Sequence, residues 1–186
     1  MLFSFAPLWL LGLLSIPSSQ QPTAQAPVVP PALEWNASRP LTWADFKARP
    51  NSDRLEALTS STIDAKVGCV DYQFSAQVKA VFRPTESWVR HPAQATAALL
   101  RHEQVHFDLT EVHARLLRQK LSLVKLDCEK LQPAFSNITK MAFLTWQREE
   151  ARYDQETNHG INAARQQAWE QQVQQRLQSL SAFALK

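Results

Sequence analysis

The sequence predicts an α+β fold, a small antiparallel sheet followed by three long helices, and three observations carry that reading. Tyr72, Phe74, Ala76, Val78, Ala80 and Phe82 alternate with Gln73, Ser75, Gln77 and Lys79, the period of a half-buried strand. No Gly or Pro falls between Ala93 and Gln132, and apolar residues recur there at helical spacing. Beyond that stretch the helical period continues on both sides of one break, Asn158-His159-Gly160.

A chain of 186 residues suffices for one domain with a proper core. Its 45% apolar and 20% charged content is that of a globular protein. The net charge of +3 comes from scattered residues without a dense basic run, so no nucleic-acid surface is expected.

Taken in order, 1–19 reads as a signal peptide. Leu2 to Ile16 is an apolar run too short for a comfortable membrane span, broken by Pro17-Ser18-Ser19. The expectation is a periplasmic or secreted protein with no stable membrane span once the signal is cleaved, an uncleaved anchor being the alternative. Residues 20–40, rich in Pro, Gln and Ala, read as an extended linker without a core of its own. The remaining 41–186 form the domain. Leu41-Thr42-Trp43-Ala44-Asp45-Phe46 is a short aromatic element that docks on it. Strands are expected over 59–66 and 72–82, joined through Gly68-Cys69-Val70-Asp71. So small a sheet must pack on helices to be stable. Pro92 stands near the start of the first helix, 93–126, and Pro133 suits the first turn of the second, 129–153. Gly160 is a natural helix stop. The third helix covers 162–182, with Trp169, Val173, Leu177 and Leu180 as its apolar stripe. Cys69 and Cys128 are the only cysteines, and in an exported protein such a pair predicts one disulfide.

The first helix contains His102-Glu103-Gln104-Val105-His106, a His-Glu-x-x-His motif flanked by apolar Leu99, Val105, Leu109, Leu116 and Leu117. Residues four apart share a helix face, so the two imidazoles converge on one point, as the first two protein ligands of zinc must. Glu103 lies about 100° around the helix, placed to reach a water on the metal as general base without being a ligand. A third ligand is needed. His113 is about 10 Å further along the same helix, and Glu111 faces away from the pair. The other cluster of acids and imidazole is Tyr153-Asp154-Gln155-Glu156-Thr157-Asn158-His159-Gly160. Either His159 or Glu156 serves there, His159 being preferred.

The stretch from Leu99 to Asp108 closely resembles a bacterial family of secreted zinc-dependent proteases, long filed as a domain of unknown function. The resemblance extends to Leu41-Thr42-Trp43-Ala44-Asp45-Phe46, to Pro84-Thr85-Glu86-Ser87-Trp88 and to the segment from Tyr153 to Gly160. It implies a zincin-like metallopeptidase architecture, His102 and His106 as zinc ligands, and Glu103 as the catalytic acid and base. The expected chemistry is hydrolysis of an amide bond in a peptide or protein substrate. Tyr153 is expected to donate a hydrogen bond to the developing oxyanion, and Asp154 to orient a ligand imidazole from behind. The alternative is a non-catalytic envelope binding protein that keeps the fold.

Overall fold

A computed structural model describes residues 31–124 and 126–185, so the expected signal segment and most of the expected linker lie outside the described residues. The elements are β1 (Leu33–Glu34), a 3-10 turn at Trp43–Asp45, β2 (Ala57–Leu58), β3 (Ser61–Val70), β4 (Gln73–Phe82), β5 (Trp88–Val89), α1 (Ala97–Leu123), α2 (Ala134–Thr157) and α3 (Ala163–Ser179). An α+β fold with a small antiparallel sheet and three helices is therefore what the chain adopts.

The sheet has the order β1-β4-β3, and β2 and β5 form a separate antiparallel pair. The β3–β4 ladder runs from Ser61↔Phe82 to Val70↔Gln73. The connection is thus shorter than the sequence suggested: only Asp71 and Tyr72 turn the chain, both with positive φ (49° and 61°). That is the signature of a two-residue hairpin turn matched to the twist of its strands. Gly68, expected in the connection, stays in the ladder opposite Ser75. Val78, Ala80 and Phe82 point inward with Ile63, all at most 2% exposed, as the alternation required.

The helices begin later than expected. α1 starts after Thr96, whose side chain accepts a hydrogen bond from Leu99 N. α2 starts after Pro133, and α3 after Asn162, which caps Arg165 N. Fourteen of the 27 residues of α1 are buried, which makes it a central spine rather than a surface helix. One face meets the sheet through Phe107, Ala114, Leu117 and Leu121, against Ile63, Val78 and Phe82. Another meets α2 and α3 through Val105, Leu109 and Val112, against Tyr153, Trp169 and Val173. Leu116, counted in the apolar stripe, is exposed.

The described end of the expected linker joins the fold. β1 pairs with β4, and Trp35 Nε1 donates to Asp108 Oδ1 at 2.7 Å. Gln104 and Gln174 donate to the same carboxylate at 2.8 and 3.2 Å, so Asp108 ties the N-terminal segment and α3 to the spine. Cys69 and Cys128 are disulfide-bonded, joining the hairpin to the α1–α2 connection. No helix among the described residues is long and apolar enough to cross a membrane. The disulfide fits an exported protein.

A second tie crosses the three helices. Glu149 on α2 accepts from His113 on α1 at 2.6 Å and takes both Arg176 amines from α3, at 2.8 and 2.9 Å. Burial pushes this carboxyl up, but the bonds from His113 and Arg176 outweigh it and hold its pKa at about 2, against an ordinary 4.5.

Two outcomes are expected. A Cys69→Ser/Cys128→Ser double variant, measured by urea denaturation, loses roughly 2–4 kcal/mol because the loop it frees is long. A depressed native pKa means that the ionised Glu149 stabilises the fold above its ordinary pKa, and that this is lost as pH falls from 4.5 towards 2. Glu149→Gln therefore lowers stability at pH 7 by about 1–2 kcal/mol and flattens the acid limb of the stability–pH profile in that window.

Candidate metal centre

His102 and His106 project from one face of α1, their rings 4.9 Å apart and nearly perpendicular. The end of α2 packs against them. Asp154 Oδ1 lies 3.1 Å from His102 Nε2 and 2.9 Å from His106 Nε2. The opposite ring nitrogens are also engaged: His102 Nδ1 faces Gln166 Oε1 on α3 at 3.1 Å, and His106 Nδ1 faces Glu150 Oε2 on α2. A neutral imidazole has one N–H. With oxygen acceptors on both sides, each ring needs either a second proton or a cation between Nε2 and Asp154.

The charges around the rings favour positive charge. Burial pushes the Asp154 carboxyl up, but hydrogen bonds and charge from His102 and His106 outweigh it and hold it well below the usual carboxylate range. For His106, burial opposes the charged form, yet Glu150 and Asp154 raise its pKa well above the ordinary value. Glu103 adds a third carboxylate. It is 2% exposed, and its buried Oε2 has no hydrogen-bond partner among the described residues. A buried, unpartnered carboxylate oxygen is costly unless something outside the chain meets it.

His159 is brought to the same place by the turn after α2. Asn158, His159 and Gly160 all have positive φ (48°, 52° and 81°), which reverses the chain tightly enough to set His159 Nδ1 3.4 Å from Asp154 Oδ1. His102, Asp154 and His159 each offer a ligand atom within 4.8 Å of the others. Gly160 is required for this approach, since a Cβ there would stand 3.0 Å from His102 Cβ.

Three expectations are corrected. Asp154 does not sit behind an imidazole; its Oδ1 lies between the two, on their Nε2 side. Tyr153 is not aimed at the cleft: it is fully buried, and its hydroxyl bonds to His102 O at 3.1 Å and Gln166 Oε1 at 2.9 Å. Its ring stacks on His102 at 4.8 Å, so it supports the site from below. Glu156 points away, towards Trp169 Nε1 and Arg165, because two residues past Asp154 is the far side of a helix.

The sequence reading missed Glu150, Gln166 and Trp146. Trp146 Nε1 donates to Glu150 Oε1 at 2.8 Å. Trp146, Glu150 and Asp154 are spaced four apart, a regular stripe on a helix already expected, and that spacing was the available signal. Gln166 sits in a Gln-rich helix and carried none.

The cluster opens into a cleft of about 820 Å³ whose walls include Leu58, Ser61, Leu99, Trp146 and Ile161. Glu103, Asp154 and His159 line it as well.

Gly160→Ala is expected to destabilise the protein by roughly 1–3 kcal/mol in urea denaturation, since it combines a positive φ with contact against His102. Gly68→Ala, which meets only Ser75 Oγ at 3.4 Å, shifts stability by no more than about 0.5 kcal/mol.

No curated protein and no solved structure matches this chain. Residues 42–160, more than half of it, match the family described as bacterial protein of unknown function (DUF922). The matched segment contains every residue of the cluster except Gln166. The chain belongs to the DUF922 family.

Proposed function

We propose that this protein is an exported zinc-dependent peptidase with a zincin-like site. The observation that carries the reading is the convergence of both Nε2 atoms of the His-Glu-x-x-His pair on Asp154 Oδ1, beside the unpartnered carboxylate of Glu103. Imidazole and carboxylate are the donor types of catalytic zinc sites. Donor atoms around a tetrahedral zinc lie about 3.3 Å apart for bonds of roughly 2.0–2.1 Å, and Oδ1 is 2.9, 3.1 and 3.4 Å from the three imidazole nitrogens. His102, His106 and Asp154 would hold the ion and leave its fourth position to water, with His159 beside them on its turn.

When bound, zinc supplies Lewis acidity and a water acidic enough to ionise near neutral pH. The chain supplies the rest. Glu103 accepts the proton at Oε2 and returns it to the departing amine nitrogen, both movements taking place inside the cleft. Gln166 and Glu150 keep the Nδ1 sides of the rings occupied. Tyr153 contributes packing and a bond to the backbone of His102, and takes no part in stabilising an oxyanion.

A polypeptide is the substrate class this reading takes, because an open strand edge runs beside the cleft. β3 lies at one side of the sheet and has no strand partner on its outer edge among the described residues, and its first residue, Ser61, lines the cleft. An extended chain added along that edge reaches the cluster. This edge belongs to β3; the strand with the strongest sequence alternation, β4, occupies the middle of the sheet.

The test has two parts. Zinc content of the purified protein is expected at one ion per chain, lost in Asp154→Ala and His106→Ala, reduced in His159→Ala and unchanged in Glu156→Ala. Glu103→Gln is expected to keep the zinc and to lower the rate of peptide hydrolysis about 10²–10⁴-fold. Zinc bound without hydrolysis of any peptide would favour the envelope binding protein; absence of zinc from the wild type sinks the peptidase reading and leaves the binding protein.

A further inference from the structure

The two imidazoles of the cluster are held by groups of different kind, and each of those groups is itself fixed. Gln166 Nε2 donates to Glu170 Oε1 at 3.0 Å, which turns its Oε1 towards His102 Nδ1 and the Tyr153 hydroxyl. His106 has a carboxylate in the same position. Glu150 Oε2 accepts from His106 Nδ1, while Oε1 accepts from Trp146 Nε1 at 2.8 Å. A carboxylate only accepts, so His106 carries a proton on Nδ1 towards Glu150, and Nε2, facing Asp154, is the nitrogen left to meet a cation. Trp146 holds the second oxygen, so the carboxylate cannot rotate to release the ring. Trp146 and Glu150 both line the cleft, and the Glu150 side chain is only 18% exposed.

We propose that Glu150 is a positioning residue of the metal centre: it locks His106 in the Nδ1–H tautomer and ties that ring, through Trp146, to the wall of the cleft. The inference rests on the zinc reading above but assigns a role which that reading does not need. Zinc would bind to His102, His106 and Asp154 in any case; Glu150 determines how tightly. The effect belongs to ligand orientation and basicity, and outer partners of this kind are worth about 10–100-fold in metal affinity. Gln166 gives His102 orientation without the negative charge, so the two ligands are not equivalent.

The experiment uses the full chain after chelator treatment, with zinc affinity read by competition against a chromophoric chelator. Glu150→Ala removes the acceptor; Glu150→Gln keeps the shape and guards against a variant that fails to fold. Thermal unfolding of the metal-free forms is measured in parallel. The expected result is a roughly 10–100-fold weaker zinc affinity in Glu150→Ala and a smaller loss in Glu150→Gln, with the metal-free form of each variant still folded at the assay temperature. In the zinc-loaded protein, the slowly exchanging His106 Nδ1–H proton signal disappears in Glu150→Ala. Affinities within twofold of wild type would overturn the assignment. So would a loss of affinity confined to variants whose metal-free form is unfolded at the assay temperature, which makes the role one of folding. A wild type that takes up no zinc removes the underlying reading instead, and this outcome is separable because it appears before any variant is compared.

Discussion

Asp154 Oδ1 lies within 3.1 Å of both Nε2 atoms of the motif helix, and the arrangement of that end of the molecule depends on it. Burying two imidazoles and a glutamate in the middle of α1 is unfavourable unless their polar atoms are met. The chain answers with Asp154, Glu150 and Gln166 from two other helices. Counted with neutral rings, Glu103, Glu150 and Asp154 leave three negative charges in one pocket. Glu150 and Asp154 draw a proton to His106, and under the zinc reading proposed above the same carboxylates would face the cation instead. Stability and site chemistry therefore make opposite demands on the same oxygen atom.

The spine that carries the pair is buried on more than one side. Toward the sheet it packs with Phe107 and Leu117, toward the other helices with Val105, Leu109 and Val112. This fixes its rotation about its own axis, and with it the direction in which His102 and His106 point. At the far end the Cys69–Cys128 bond closes the α1–α2 connection onto the hairpin. At the near end Glu149 holds His113 and Arg176 together. Placement of the rings is thus set by contacts well outside the cluster, as a precise site requires.

Much of this was legible in the sequence, for reasons specific to each element. Periodicity gave the strand at 73–82 and the three helices, because one face of each is apolar. The His-Glu-x-x-His spacing gave the shared face of His102 and His106, since that follows from helix geometry alone. What lay beyond it depended on how α2 and α3 are docked, which no local pattern encodes. Hence Tyr153 and Asp154 exchanged expectations: adjacent residues on a helix differ by about 100°, and only the docking decides which faces the rings. Glu156 was misplaced for the same reason. The late start of α1 reflects Thr96, whose side chain caps the helix by accepting from Leu99 N, whereas α2 starts after Pro133 without a side-chain cap.

Trp146, Glu150 and Asp154 follow one another at intervals of four along α2, so a cleft wall, a ring support and a central carboxylate share a single helical stripe. Their alignment is a matter of register. One residue inserted between Trp146 and Asp154 rotates everything downstream by about 100° and scatters the three around the axis. An insertion in the loop before α2 leaves the stripe whole and merely lengthens the approach. The stripe therefore fixes the length of the last three turns of α2 and places no such constraint on the loop before it.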